Sequence, residues 1–401
     1  TRLEAQNLPL LLTINKNINH LDFSYSDITE ERLEEIVRTY PHLRSLNLSG
    51  CENIRNIAML SGLTQLHTLD LSRNDIQDLS HLRPLTKLRT LNLSANNIQD
   101  ISHLRPLTKL QTLNLANTNI QDYSHLSPLA ELRTLNLSYT NIQDISHLRP
   151  LAQLHTLNLS HTDIQDISHL SPLTQLHTLN LSQNKHIQDF SHLTFLTQLR
   201  TLDLSNTNIQ DISHLSPLAQ LHTLDLSDTN IQDISHLRPL AQLHTLDLAR
   251  TKIQDISHLS LLTHLHTLDL RSTNLQDITP ILHLIQRQSF EYSGPRIFKQ
   301  QPAKKASAPS PLASKPIAES AAIQTPPAKK ASKHPRPIRV LARLPAKQTH
   351  FTDVIHFVLD QTEIKIMAIV LATIFRGAVG GFTALAAVGA YTYYRRRWTA
   401  V

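Results

Sequence analysis

The chain of 401 residues holds one cysteine, seven glycines, one tryptophan and only 4% aromatic residues. The single Cys51 excludes an internal disulfide framework, and a cysteine-based metal site with it. It fits a reducing compartment without requiring one. So few glycines leave no phosphate-cradling loop, and no isolated Ser-His-Asp arrangement stands out, so the expectation is a protein that is not an enzyme and binds no cofactor. The opening stretch TRLEAQNLPLLLTINKN lacks the basic-apolar-small pattern of an export signal. Because it begins with Thr1, its silence says nothing about compartment.

The modest formal charge of +6 hides a division. Residues 1–295 carry 21 Lys/Arg against 28 Asp/Glu, a net −7, whereas residues 296–348 carry 12 basic residues and one acid, Glu319, a net +11. An acidic body is followed by a basic stalk.

What is abundant is leucine, and it is periodic. LxxLxL begins at Leu43 and Leu66, then at Leu88, Leu110, Leu132, Leu154 and Leu176, and again at Leu199, Leu221, Leu243 and Leu265. The step is 22 residues, lengthened to 23 after Leu43 and after Leu176. Ile18-Asn-His-Leu21-Asp-Phe23 is a degenerate earlier unit. In TLNLS the two leucines point one way and Thr, Asn or Asp, and Ser the other, which is a short strand with one buried face. No unit has enough apolar surface to bury its own leucines; stacked units bury them against each other. Strands about 4.8 Å apart then form a parallel sheet, with IQDISHLxPLxQ as the return path. The proline at position nineteen suits the first residue of a short helical turn.

This pattern resembles the leucine-rich-repeat family, in its 22-residue internalin-type class, over about 250 residues. The resemblance implies an α/β repeat solenoid, a curved rod with a parallel concave sheet, that binds protein. The expected organisation is an N-terminal cap with the degenerate repeat over 1–42, repeats over 43–274 and a C-terminal cap over 275–294. Glu31 to Arg38 reads as an amphipathic helix within the first cap. At position nine the family's Asn, whose amide binds backbone along the stack, is kept at Asn74, Asn96 and Asn184. Thr118, Thr140, Thr162, Thr207, Thr229, Thr251 and Thr273 replace it elsewhere, and Thr makes fewer bonds, so a looser ladder is expected there.

Two columns carry candidate chemistry. His81, His103, His125, His147, His169, His192, His214, His236 and His258 each follow an Asp by three residues, from Asp78 to Asp255. The row is read as structural or solvated, with pH sensing and metal ligation as alternatives; ligation needs convergence, which a straight row does not supply. At position five the early units show mostly Asn, and the later ones Asp203, Asp225, Asp247 and Asp269. Neighbouring carboxylates about 5 Å apart repel, which favours a cationic partner. Position eight varies most, and Tyr139 and His161 there are the candidate less-charged contacts. The alternative for the acidic column is a solvated face that keeps the rod soluble.

Residues 295–348 repeat PAKKAS amid Pro, Ala, Ser and Lys and read as a disordered basic linker. A juxtamembrane segment over 349–365 leads to residues 366–394, which carry one charge, Arg376, and are long enough to cross a bilayer as a single transmembrane helix. Gly377 and Gly381 form a GxxxG pair with Gly389 near the same face, which favours self-association through the helix. Arg395, Arg396 and Arg397 in the tail 395–401 read as a stop anchor. Lipid contact is expected through tail and linker, and no nucleic-acid partner. Repeat rod, Pro-rich stalk, apolar segment and basic end resemble wall-anchored internalins, but the sorting motif LPxTG is missing: Leu344-Pro345-Ala346-Lys347-Gln348-Thr349 stands in its place. The expectation is a membrane-anchored adhesin or scaffold, its rod on an unassigned side of the membrane. The alternatives are a secreted effector, a tail-anchored cytosolic adaptor, or a ligase substrate receptor, which the resemblance of ITEERLEEIVRTYPHLRSLNLSGCENI to F-box receptor repeats suggests.

Overall fold

The computed structural model describes residues 18–295. The expected linker from 296 on, the transmembrane segment with Gly377, Gly381 and Gly389, and the terminal Arg395, Arg396 and Arg397 lie outside the described residues. Among the described residues no helix is long and apolar enough to cross a membrane.

Thirteen parallel strands form one sheet in strict chain order. They run from β1 (His20–Asp22) and β2 (Ser45–Asn47) to β12 (Thr267–Asp269) and β13 (Glu291–Ser293), each three residues long. Register is exact from repeat to repeat: Thr90 pairs with Thr112, Leu91 with Leu113 and Asn92 with Asn114. The leucine of each strand points inward, as Leu91, Leu113 and Leu135 do at 0% exposure. Leu104, Leu107 and Leu110 close the same core from the return path, also at 0%. A one-residue slip would turn the whole leucine set outward, so burial on one face fixes the register.

The return path differs from expectation in one detail. Its 3-10 turn is Ser-His-Leu, as at Ser102–Leu104, and ends two residues before Pro106 rather than starting at it. The cause is the aspartate two residues ahead of the serine: Asp100 Oδ1 accepts the Ser102 N–H at 2.7 Å and Oδ2 accepts the Ser102 hydroxyl at 2.9 Å. This side-chain capture opens the turn before proline can.

At the N-terminal end helix α1 (Glu30–Thr39) buries Leu33, Ile36 and Val37, and Thr29 caps it by accepting the Arg32 N–H. At the other end a 3-10 turn over Thr279–Ile281 and the short helix α2 (Leu282–Ile285) precede β13. The segment expected only to cap the repeats thus also extends the sheet. Leu270 N–H donates to the Ser293 carbonyl at 2.6 Å and Glu291 N–H to His266 at 2.7 Å.

Position nine shows how the repeats are tied together. Asn96 donates to the Leu93 carbonyl of its own repeat at 3.0 Å and to Leu71 of the preceding one at 2.9 Å, and its Oδ1 accepts the Ile76 N–H. Asn184 likewise bridges Leu181 and Leu159, at 2.9 and 2.7 Å. Thr140 reaches only Leu137 of its own repeat, at 2.7 Å. Cys51 belongs with the asparagines: its Sγ donates across repeats to the Phe23 carbonyl at 3.1 Å. Threonine mostly saves only its own hydroxyl; Thr162 also reaches the next repeat, donating to Asn184 Oδ1 at 2.7 Å. Replacing fully buried Asn184 by Thr should therefore cost about 1–2 kcal/mol, the worth of bonds lost from buried carbonyls. The check is the urea midpoint, which should fall for N184T and move little for T140S, where the local bond survives.

Candidate interaction face

The concave face is built by one repeated local device. At position five a side-chain oxygen accepts the N–H two residues on: Asn136 from Ser138 at 3.0 Å, Asn158 from Ser160 at 2.9 Å, Asp225 from Ser227 at 2.9 Å. Asn and Asp serve equally because each supplies Oδ1. The chain then turns, and position eight takes a left-handed backbone in every repeat. Tyr139 has φ 57°, His161 53°, Asp228 56° and Arg250 56°, where Gly50 does the same at 65°. Outside glycine such a conformation is uncommon and costs about 1 kcal/mol or more.

What the device leaves over differs along the rod. In the asparagine repeats the second atom is Nδ2, a donor; from Asp203 onward it is Oδ2, an acceptor with charge. Asp70 is a further carboxylate in this column that sequence reading passed over, and its Oδ2 is met by the Asn92 amide at 3.0 Å. The four later carboxylates are not equivalent. Asp269 is gripped by Arg271, whose Nε lies 2.7 Å from Oδ2. Asp203, Asp225 and Asp247 have no ion pair among the described residues. At Asp225 burial, and then the charge of Asp203, push the carboxyl from 3.8 up to about 6. Asp247 is raised by burial as well, with Arg271 and Arg250 opposing.

The position-eight row stands beside this column, because the Asp203 charge is felt at His161 and the Asp247 charge at Arg250. Tyr139 and His161 stack with ring centroids 4.1 Å apart at 15°. Asn206 donates to Gln183 Oε1 at 2.5 Å, and Arg250 forks onto Asp228. Three neighbouring pairs follow one another: aromatic, amide, ionic. Burial lowers the His161 imidazole below its usual 6.5, which favours its neutral form.

A second histidine row went unread in the sequence. At position two His155 and His177 stack 5.1 Å apart, as do His222 and His244, and His266 continues at 5.4 Å. His155, His222 and His244 each hold Nδ1 2.6 Å from the carbonyl two residues back. The Leu-His-Thr-Leu recurrence was the available signal. The other row, His81 to His258, sits on the return path beside the aspartates that cap the turns. In six of its members, His81, His103, His125, His147, His192 and His214, Nε2 lies near the preceding aspartate, from 3.3 Å at Asp122 (His125) to 4.0 Å at Asp100 (His103). Hydrogen bonds from Ser80 hold the Asp78 carboxyl below the usual carboxylate range, and the same holds along the row. Among the described residues no three His, Cys, Asp or Glu side chains converge as metal ligands.

Family models for leucine-rich repeats match residues 41–59, 64–106, 108–150, 152–194 and 197–239. The chain is similar to an internalin, InlF, from Listeria monocytogenes, at 30% identity over 72% of this chain and 93% of that one, with a TM-score of 0.63. A leucine-rich-repeat protein of Leptospira interrogans shares the fold at 22% identity, over 69% of this chain and 72% of that one, TM-score 0.62. Mouse RP105, solved in a complex with MD-1, is 26% identical over 61% of this chain and 44% of that one, TM-score 0.51. A search of curated protein sequences found no match.

The raised Asp225 carboxyl has a definite sign. The folded protein binds this proton more tightly than the unfolded chain, so the group's contribution is full below 3.8 and is lost as pH rises through about 6. D225N should flatten that slope and stabilise the fold near neutral pH by roughly 2 kcal/mol. Urea titrations of both proteins across this pH range give the comparison; parallel curves would contradict it.

Proposed function

The chain belongs to the leucine-rich-repeat family, in its internalin-like class, and from that premise we propose that it is a membrane-anchored adhesin or scaffold. It acts by binding rather than catalysis, with the repeat rod presented on a basic stalk. The observation that carries the reading is the change in the position-five column from amide donors to carboxylates. Asp203, Asp225 and Asp247 lack ion-pair partners among the described residues, and Asp225 is held partly out of water. A cationic segment of a protein partner relieves the repulsion and offsets the cost of burying these carboxylates. Arg271 already does so at Asp269, so a partner's Lys or Arg would be placed toward Asp203 and Asp225. RP105 in its complex with MD-1 and the internalin relationship support a protein partner.

Anchoring is proposed from the apolar run 366–394 and the Arg395–Arg397 that follow it. Removing residues 364–401 should release the protein from the membrane pellet into the soluble fraction. A truncated chain that stays in the pellet at high salt would remove the anchor from the proposal.

For the acidic column, Asp203, Asp225, Asp247 and Asp269 changed together to Asn restore the early-repeat chemistry and keep every Oδ1. Against a partner recovered on the immobilised chain, the association rate should drop by about tenfold and lose its salt dependence. Unchanged kinetics and unchanged salt dependence would leave the column as a solubility feature.

A further inference from the structure

Position two, immediately ahead of each strand, has no part in the acidic face. Its backbone forms an unbroken ladder, each N–H donating to the carbonyl one repeat back at 2.8 Å, from His67 on Arg44 to His266 on His244. The side chains are therefore held in a row along the rod. Of the eleven members only Gln111 is neither arginine nor histidine. Arg44, Arg89, Arg133 and Arg200 are exposed, and the histidines are half-buried apart from exposed His266. Opposing charge is scarce beside the row. Across positions twenty-one, twenty-two, two and three of these repeats the one acid is Glu131, and Lys109 holds it at 2.6 Å. Lys87 stands in the same position as Lys109, bonded to Gln65. At the C-terminal end Arg287 donates to the Thr263 carbonyl at 2.6 Å, and Glu291 of β13 adjoins His266 through its N–H. The position-five carboxylates stand at the far end of each strand.

The histidines are set up to gain charge without disturbing the fold. His155, His222 and His244 hold Nδ1 2.6 Å from the carbonyl two residues back, His266 2.5 Å and His67 2.7 Å. A carbonyl oxygen only accepts, so Nδ1 carries the ring hydrogen and the Nε2 lone pair is left over. A proton added at Nε2 breaks nothing, because the Nδ1 bond survives in the cation. The rings stack at 5.1 Å for His155 on His177 and for His222 on His244, and at 5.4 Å for His244 on His266, so each new charge repels the next. An anion laid along the row offsets that repulsion and accepts the new N–H groups. Proton uptake and anion binding thus favour each other.

We propose that the position-two column binds a linear, densely sulfated glycan, with an affinity that rises as the medium becomes acidic. The arginines supply charge at every pH, and histidine is the side chain whose charge changes between about pH 5 and 8. Sulfate groups stay ionised throughout that range. Ten steps of about 4.8 Å make a stripe roughly 50 Å long and one or two side chains wide, which suits a chain rather than a lipid surface. The strongly exposed large apolar side chains among the described residues are Tyr25, Tyr139, Phe195 and Leu261, and none belongs to the column. A protein segment needs apolar or aromatic anchors, and single-stranded nucleic acid needs rings to stack on. A sulfated glycan needs neither. The proposal does not rest on the acidic column.

The test is calorimetric titration of the full chain with a heparin octasaccharide at about pH 7.5 and about pH 5.5. Affinity should rise about tenfold or more on acidification. Residues 296–348 add a background nearly indifferent to pH, since they are basic through Lys and Arg and hold one histidine, His334. H155Q, H177Q, H222Q, H244Q and H266Q combined should cut the rise to less than about threefold. Gln111 shows that the column accepts glutamine. H103Q, H125Q, H147Q, H169Q and H214Q combined, all on the return path, should keep the rise. R133Q with R200Q should weaken binding by roughly fivefold at both pH values and keep the rise as well. Affinity indifferent to pH, a rise that survives the position-two variant or is lost in the return-path variant, or arginine variants without effect overturns the proposal. So does an oligoglutamate peptide that binds through these histidines while the heparin fragment does not bind.

Discussion

Everything in this rod depends on the inability of one repeat to bury its own leucines. A strand of three residues has almost no cooperative stability alone; the leucines at positions one, four and six become core only when a neighbour covers them. That single constraint forces exact register, and register lines up every other side chain into columns. Function in such a molecule is a property of columns, not of isolated residues. A change at one position of one repeat matters chiefly through what stands above and below it, as Asp203 matters to Asp225.

The columns divide labour by atom. At position five Oδ1 is structural in every repeat, since it captures the backbone N–H that begins the turn. The second atom is therefore free to vary. Exchanging Nδ2 for Oδ2 alters the face of the rod without touching its fold, because Asn and Asp present the structural oxygen identically. Position nine has no such freedom: it is buried, and Thr in place of Asn gives up bonds between repeats. Stability and recognition are thus separated within a few residues of chain.

Much of this was legible in the letters, and the unread part has physical reasons. Periodicity disclosed the strands, the inward leucines and the acidic change after Asn180, because alternation and repetition survive without coordinates. The 3-10 turn was displaced from the expected proline because Asp100 caps Ser102 first, a local competition that propensity does not rank. The unequal state of the four aspartates stayed hidden, since it arises from burial at Asp225 and from Arg271 folding back onto Asp269. The stacking of His155 on His177 was hidden for a simpler reason: the residue after the first leucine of LxxLxL is Arg, Gln or His from repeat to repeat, so the column is broken in the letters.

Position eight carries the argument furthest. Its backbone is left-handed in every repeat, and Gly50 shows that glycine satisfies the turn at no steric cost. Yet the row from Arg73 to Ser272 holds ten other residues, nearly all different, in a molecule where most positions are copies. Each non-glycine side chain there carries a conformational penalty of about 1 kcal/mol, less for Asn and Asp. Burial does not compensate, because Tyr139 and His161 are exposed. Neighbour pairing compensates in part, through the aromatic stack, the Gln183–Asn206 bond and the Asp228–Arg250 fork. Those pairs change chemistry along the rod, from aromatic to amide to ionic, in parallel with the change from Asn to Asp beside them. Two columns that vary together, on a scaffold that otherwise does not vary, divide one concave sheet into a neutral stretch and an acidic one. A ligand suited to one stretch is unsuited to the other, so the rod is better understood as two adjoining surfaces than as one.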